Sequence, residues 1–391
     1  MTYQAAITKL RFENIGVAPF VWLGKLTGLL FPLKTRHKAF LFFPNADIGG
    51  APRVNLDITE LMKLDNPIII FSKKAHNNLY RERYEKTGVQ ILDLHRYIDN
   101  KLFHFVNFFF RGLLAAWINQ QDNPVVFGGE SIFFYKIIPH LKKDIRCVEL
   151  THVDVWTPYT IGFIDRINAR VFSTRKGMQK VEEQYRENKL GEHYFERLFF
   201  VDNSVDIPSP VTSTNAQLEV FFIGRGAPQK RIHLVAAIAT ALHDKRLAIH
   251  FNFVGDVDKV IDPTKLPFCS FYGTITEESA MKEIYEKADV LLLTSAFEGL
   301  PVVVMQIMAY GKIVVSTAVS GIPDYIFHKK NGILLDAVEE PEIIAQGIAA
   351  LEWLISGPSQ RVVLGAEARK DATRLFGREA FNQRYKNLLC L

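Results

Sequence analysis

The sequence predicts an α/β protein built from parallel sheets, and three observations carry that prediction. Short, mainly apolar, β-like runs recur along the chain, with helical stretches between them. Short apolar runs alternating with helices imply a parallel sheet covered on both faces. The series pauses once, at the polar stretch IPSPVTSTNA (residues 207–216), and then starts again. That pause reads as a linker between two similar halves. A chain of 391 residues, 48% of them hydrophobic, is long enough for two separate cores.

The elements follow in order. Residues 15–33 are mostly apolar, preceded by Lys9 and Arg11 and followed by Lys34, Arg36 and Lys38. Pro19, Lys25 and Pro32 interrupt the stretch, and no small-residue cleavage site follows it. It is a poor spanning helix and a poor signal peptide. Two readings stay open: a helix lying in a membrane interface, or a helix packed on the first domain. Strands of the first half are expected at residues 39–43, 67–71, 89–94, 125–127, 147–150 and 171–172. Strands of the second half are expected at 218–223, 247–254, 268–272, 290–293, 313–315 and 333–335. From residue 340 the tail reads as helix, broken at Gly357-Pro358 and at Gly377.

Charge and cysteine usage narrow the class. Net charge is +5 overall, with 28 − 21 = +7 over residues 1–205 and 19 − 21 = −2 over the remainder. A basic first half suits an acidic partner, either an anionic membrane face or an anionic lipid-linked substrate. No long Lys/Arg block and no zinc-type spacing occurs, so nucleic acid is not an expected partner. The cysteines Cys147, Cys269 and Cys390 lie far apart, which suits a reducing compartment without a disulfide framework.

The most informative stretch is residues 289–325, DVLLLTSAFEGLPVVVMQIMAYGKIVVSTAVSGIPDY. An apolar run ends in a turn holding Glu298, and Gly299, Leu300 and Pro301 lead into a helix beginning at Val302. Proline suits the first helical position, where its missing N–H costs nothing. A helix N-terminus favours an anion, yet a carboxylate stands beside it. That mixture suits a ligand carrying phosphates and hydroxyls together, such as a nucleotide-sugar. After the strand ending at Ile223 comes Gly224-Arg225-Gly226-Ala227-Pro228-Gln229-Lys230-Arg231, with a helix expected to start near Lys230. Arg225 and Lys230 bracket a small loop at a strand end, where two fixed cations stabilise the charge of a departing diphosphate.

Taken together, these motifs resemble the retaining glycosyltransferases of family four, which have the GT-B fold. The resemblance covers about residues 218–336 and rests on GRGAPQKR, FYGTIT, the Glu298-Gly299-Leu300-Pro301 loop, and GIPD before NGILL. The first half matches more loosely. Its Asp47-Ile48-Gly49-Gly50-Ala51-Pro52-Arg53 is similar to the family's first glycine loop. Thr151-His152-Val153-Asp154 is similar to its active-site histidine segment, and Asn203-Ser204-Val205-Asp206 to the motif closing the first domain.

The resemblance implies an α/β GT-B architecture, two Rossmann-like domains facing across a cleft. The implied layout is an N-terminal segment 1–36, an acceptor domain 37–206, a linker 207–216, a nucleotide-sugar domain 217–376, and a C-terminal helix 377–391 crossing back to the first domain. It implies glycosyl transfer with retention, from a nucleotide-sugar donor to a glycan or lipid-linked acceptor, in surface polysaccharide assembly. Arg225 and Lys230 would hold the donor diphosphate, with Gly224 beside them. Glu298 would meet sugar hydroxyls, and His152 would lie by the transferred sugar. Gly299, Leu300, Pro301, Thr274 and Ile275 would line the donor site, and Gly49 and Gly50 would let backbone approach phosphate or acceptor. No cofactor and no metal are expected, the nucleotide-sugar being a substrate. The expected location is cytoplasmic, with the inner face of the plasma membrane as a surface the protein can lie on.

One position departs from the family's pattern of two glutamates seven residues apart: the second is Gln306. That position normally grips the nucleotide ribose. A charge-assisted hydrogen bond contributes about 1.5–3 kcal/mol against about 1 kcal/mol for a neutral one, so weaker or altered nucleotide binding is expected. Two alternatives stand beside transfer: an inactive GT-B protein that binds nucleotide-sugar or scaffolds a partner, and a GT-B sugar epimerase. Three further features carry no site. Asp256-Val257-Asp258 spells a metal-binding triplet but follows a strand as an ordinary loop would. His104 lies in an aromatic run and reads as a packed histidine. Gly128-Gly129-Glu130 follows a strand and is left unassigned.

Overall fold

A computed structural model describes residues 2–47, 49–100, 104–152, 157–210, 215–298 and 300–390. The chain forms two compact units, Met1–Asp202 with Asn382–Leu391, and Asn203–Phe381.

The first unit carries β1 (Ala39–Phe43), β2 (Ile68–Phe71), β3 (Gln90–Asp93), β4 (Val125–Gly128), β5 (Arg146–Thr151), β6 (Ala169–Phe172) and β7 (Leu198–Phe200). They make one sheet in the order β3-β2-β1-β4-β5-β6-β7, every pair parallel. The second unit carries β8 (Leu218–Ile223), β9 (Ile249–Val254), β10 (Ser270–Phe271), β11 (Val290–Leu293), β12 (Ile313–Thr317) and β13 (Ile333–Leu335). Its order is β10-β9-β8-β11-β12-β13, again all parallel. The longer helices are α1 (Tyr3–Leu30), α2 (Gly50–Met62), α3 (His104–Asn119), α4 (Arg175–Glu187), α5 (Ile232–Asp244), α6 (Glu278–Lys287), α7 (Val302–Ala309), α8 (Glu340–Ser356), α9 (Pro358–Phe376) and α10 (Arg378–Leu389).

Every residue of the central strands β1 and β11 is buried, as expected for a sheet with helices on both faces. In the first unit Phe40, Phe42, Ile68, Ile70 and Val126 pack against Leu114 and Ile118 of α3 and against Phe133 and Phe134. Strand β7, half-buried at the sheet edge, is not among the expected strands; its apolar run Leu198-Phe199-Phe200 is the shortest in the sheet. Between β5 and β6, on neighbouring register positions, lies a fully buried ion pair, Glu149 with Arg170. Tyr135, Tyr185 and Thr160 complete its hydrogen bonds, which is what allows two charges to be buried there.

The N-terminal stretch is one helix, α1, and it packs on the first unit through small residues. A Cβ on Gly24 would come within 2.0 Å of the Phe109 carbonyl oxygen, and one on Gly112 within 1.9 Å of the Val21 carbonyl oxygen. Glycine at both positions lets the backbones of α1 and α3 touch, a packing mode common between membrane helices. Lower on α1, Glu13 accepts hydrogen bonds from Lys136 and from Arg111, which is 4% exposed. Among the described residues, no helix is long and apolar enough to cross a membrane.

Of the expected linker 207–216, residues 211–214 lie outside the described residues. Arg369 reaches back to the carbonyl oxygen of Pro208. In α10 the residues from Asn382 onward belong to the first unit. There Arg384 pairs with Asp202 at 3.3 Å, and Arg146 donates to the Leu388 carbonyl oxygen at 2.9 Å.

Candidate functional site

Both sheets reverse direction at the same place in their order, between β1 and β4 and between β8 and β11. In open α/β sheets ligands bind beyond the carboxyl ends of the strands at this switch point. In the second unit the two loops leaving β8 and β11 meet there.

The first loop runs from Gly224 through a single 3-10 turn, Pro228–Lys230, and α5 begins at Ile232. The helix starts two residues later than expected because Arg231 sits in the left-handed region at φ 45°. That conformation aims its guanidinium at the second loop, where it donates to the carbonyl oxygens of Thr294 at 2.7 Å and Ser295 at 2.9 Å. Thr294 Oγ1 donates back to the Arg231 carbonyl oxygen at 2.9 Å, and the Ala296 N–H donates to the Gln229 carbonyl oxygen at 2.7 Å. Four hydrogen bonds thus fix one loop against the other.

The stitching brings Lys230 to Glu298. The two form an ion pair with side-chain exposures of only 11% and 8%. Ser295 Oγ donates to the same carboxylate oxygen at 2.7 Å, and Thr317 Oγ1, at the end of β12, donates to the Ser295 carbonyl oxygen at 2.7 Å. The Glu298 N–H points to Ser320 Oγ at 3.4 Å. Arg225 stands exposed on the same β8 loop, with no hydrogen bond or ion pair of its side chain among the described residues. Gly224 lies against Lys230, a Cβ there being 3.8 Å from the lysine Cε.

Glycine is required at two neighbouring points. A Cβ on Gly226 would lie 2.1 Å from the Asp256 carbonyl oxygen. Gly255 has φ +123°, and a Cβ on it would lie 1.8 Å from the Gly224 carbonyl oxygen. Asp256 accepts the Gly226 N–H at 2.7 Å and pairs with Lys259 at 2.6 Å. The lysine first, and then the backbone N–H, hold its carboxyl down at about 2. The Asp256-Val257-Asp258 triplet therefore braces the Gly224–Gly226 loop. No group of three or more His, Cys, Asp or Glu side chains that could hold a metal occurs among the described residues.

The remaining donor-side positions surround this pair less tightly. Thr274 and Ile275 lie in the loop after β10, tied in through the Gly255 N–H donating to the Gly273 carbonyl oxygen at 2.8 Å; the structure gives them no bond to Lys230 or Glu298. Gly299 falls outside the described residues. Half-buried Leu300 and Pro301 lead into α7, but Pro301 precedes the helix instead of opening it, because its ψ of 136° is extended. Gln306 lies in the second turn of α7, half-buried, with no hydrogen bond of its side chain among the described residues.

The other expected residues belong to the first unit. Gly49 and Gly50 are exposed at the start of α2, and nothing lies within 4 Å of a Cβ built on Gly50, so packing does not demand glycine there. Just before them Asp47 accepts the N–H groups of His76, Asn77 and Asn78 at 2.8–3.0 Å. Desolvation pushes its carboxyl up, but the three backbone bonds together outweigh it and hold the group below the usual range.

His152 sits just past β5, its Nδ1 3.0 Å from Ser173 Oγ and its N–H donating to Glu130 Oε1 at 3.2 Å. Burial pushes its pKa down to about 4, so the ring is neutral near pH 7. Its Nε2 is buried without a hydrogen-bond partner among the described residues. Glu130, left unassigned by the sequence, thus holds the histidine's backbone, and Gly129 before it allows strand contact, since a Cβ there would lie 1.7 Å from the Leu150 carbonyl oxygen. Val153 and Asp154, adjoining His152 in the sequence motif, lie outside the described residues, as does the side chain of His104.

Sequence reasoning passed over Arg231, Thr294, Ser295 and Thr317. The signal for Ser295 was its place three residues before Glu298 at a strand end. For Arg231 there was none, since a left-handed arginine cannot be read from its neighbours.

A nearly buried ammonium, a carboxylate with a hydroxyl beside it and an exposed guanidinium, all at one sheet switch point, form a site for a ligand with anionic and hydroxylic parts. Comparison with known proteins bears on this class. The two sheets are those of the GT-B fold, two Rossmann-like domains, as found in glycosyltransferase structures. Residues 217–352, which include this site, match the family model described as Glycosyl transferases group 1.

Among sequence relatives is WcaL of Escherichia coli, provisionally named a colanic acid biosynthesis glycosyltransferase. It is 27% identical over 201 residues, 48% of this chain and 49% of that protein, so the matched part spans about half the relative's length. Among solved structures is Anabaena HepE in complex with UDP and glucose. Its TM-score is 0.67 at 14% identity, covering 91% of this chain and all of that one (100%). The lipopolysaccharide outer core galactosyltransferase WaaB, in its apo form, has a TM-score of 0.62 at 18% identity, covering 90% and 98%.

Proposed function

We propose that this protein is a glycosyltransferase. It moves a sugar from a nucleoside-diphosphate donor to a glycan or lipid-linked acceptor, with retention and without a metal, in surface polysaccharide assembly. The observation that carries the reading is the Lys230–Glu298–Ser295 constellation at the switch point of the second unit. The family model over residues 217–352 and the polysaccharide-pathway name of the WcaL relative support it. A uridine nucleotide is the first donor to test, because HepE is described with UDP.

In the proposed step the bond from the anomeric carbon to the diphosphate oxygen breaks, and its electron pair leaves with the diphosphate. The acceptor oxygen bonds to the anomeric carbon on the same face, and its proton passes to the departing phosphate oxygen. Lys230 and Arg225 stabilise the charge as it accumulates on the diphosphate. Glu298, oriented by Ser295, accepts hydrogen bonds from sugar hydroxyls. His152, neutral with a free Nε2, is suited to hydrogen-bond a sugar hydroxyl without adding charge. Closure around the donor excludes water, since hydrolysis competes with transfer.

The reading is tested by thermal-shift titration with uridine, guanosine, adenosine and thymidine diphosphates, followed by nucleotide-release assays with the matching donor sugars. No shift with any of the four and no release from any donor would end it. Because Arg225 is exposed, Arg225→Ala should leave the melting temperature unchanged and cut release by about 10–100-fold. Turnover within twofold of the parent would remove Arg225 from the diphosphate site. Gln306→Glu should tighten binding of the free nucleotide by about tenfold, the ratio of a charge-assisted to a neutral hydrogen bond to the ribose. Unchanged affinity on calorimetry would show that Gln306 does not meet the ribose.

A further inference from the structure

The outward face of α1 is a continuous apolar strip. Phe12, Ile15, Trp22, Leu26, Leu29 and Leu30 recur at helical spacing and are 38–71% exposed. The inward face is fully engaged. Tyr3 OH donates to Asp165 at 2.6 Å, Glu13 pairs with Lys136 and Arg111, Gly24 meets α3, and Trp117 Nε1 donates to the Phe31 carbonyl oxygen at 2.8 Å. The helix is therefore held in one orientation with its apolar strip outermost. Phe105, 61% exposed at the start of α3, adds to that side by packing on Phe20, ring centroids 4.9 Å apart. A soluble monomer seldom leaves so large an apolar patch uncovered without a use for it.

The charges around the strip are of one sign. Lys9 and Arg11 precede it and Lys34 follows it, all exposed and without an ion pair among the described residues. The helix's one acidic residue, Glu13, is turned inward and bound to two cations. We infer that α1 docks on an anionic phospholipid bilayer, lying in the plane of the interface with Trp22 and the leucines among the acyl chains and the basic ends on the headgroups. The buried face of α1 is apolar too, with Val17 and Val21 packed inward, so what faces outward is an apolar strip with one aromatic residue and basic ends, the features that seat a helix in the interface. A second copy of the chain is a poorer occupant. Pairing two such strips would bring these cations together with no carboxylate to meet them, whereas anionic headgroups neutralise them at both ends. The inference goes beyond the transferase reading and stands without it.

The test is flotation of the full-length protein with vesicles of phosphatidylcholine and phosphatidylglycerol, against vesicles of phosphatidylcholine alone. The anionic vesicles should be bound at least about tenfold more tightly, and Lys9→Gln/Arg11→Gln/Lys34→Gln should erase that preference at about fivefold per charge removed. Trp22→Glu/Leu29→Glu, at exposed positions, should keep the parent's urea midpoint and lose at least about a hundredfold in partitioning. The inference is overturned if the anionic vesicles do not bind the parent, if the double variant partitions as the parent does, or if the parent sediments as a dimer that the double variant splits into monomers. Catalysis enters none of these readings, so failure here leaves the proposed transfer untouched.

Discussion

Lys230→Met is expected to abolish donor turnover and to destabilise the second unit together, and a second substitution separates the two losses. The Lys230–Glu298 pair is nearly buried, so removing the ammonium leaves a carboxylate whose one remaining side-chain partner among the described residues is Ser295. Breaking such a pair from one side costs about 3–5 kcal/mol, because the remaining charge is uncompensated. The urea midpoint should fall accordingly. Glu298→Gln on top of Lys230→Met removes that stranded charge and should restore most of the stability, since a neutral amide still accepts from Ser295 Oγ. Turnover should not return. With the fixed cation gone, the transition state lacks electrostatic support of the kind whose loss costs about a hundred- to a thousandfold in rate. A double variant that is folded and inactive places both groups in the chemistry. One that is folded and active would reduce the pair to a structural brace and sink the proposed site. Nucleotide release and circular dichroism in urea, on the same preparations, read both quantities.

That experiment is framed by what the sequence did and did not disclose. The strands were legible because buried parallel strands are mainly apolar, Glu149, Arg170 and Glu219 being exceptions among them. β1 and β8 coincide with their expected runs to the residue, and β12 was only cut short, because Ser316 and Thr317 look polar although both are buried. β7 was passed over although Leu198-Phe199-Phe200 is apolar, because at three residues it is the shortest strand of its sheet. Arg225, Lys230 and Glu298 were legible as charges at strand ends, where a parallel sheet puts its ligand. Their joining was not, because it depends on Arg231 adopting a positive φ and donating to two carbonyl groups on another loop. Asp256 is a different case, read in the sequence as part of an ordinary loop. Its neighbours spell a metal motif, and only the close approach of Gly226 shows that its carboxylate holds a backbone N–H. The inner face of α1 was hidden for a similar reason. Gly24 and Gly112 look like helix-weakening residues in sequence, and each becomes a contact point once the other is known.

Acid should destabilise the first unit well before its carboxylates titrate. His140 and His152 are both buried, and burial in the fold pushes each from the ordinary value of 6.5 down to about 4. Burial is the principal cause at both, with Lys25 and then Arg111 adding repulsion at His140. The folded pKa lies below the unfolded one, so between these two values the unfolded chain carries the proton and the folded one does not. Stability is therefore fully present above about pH 6.5 and declines as pH falls towards 4, with one proton taken up per histidine on unfolding. At 1.36 kcal/mol per pKa unit, each contributes on the order of 3 kcal/mol of loss. A plot of unfolding free energy against pH should slope across that window, and His140→Gln and His152→Gln should each remove about half of the slope. A flat profile from pH 6.5 to 5 would mean that both rings already share their charge with solvent. For His152 that outcome would also bear on the role proposed for it, because an imidazolium at that place would repel the positive charge that builds on the anomeric carbon, whereas a neutral ring, its Nε2 without a partner among the described residues, can hold a hydroxyl without opposing it.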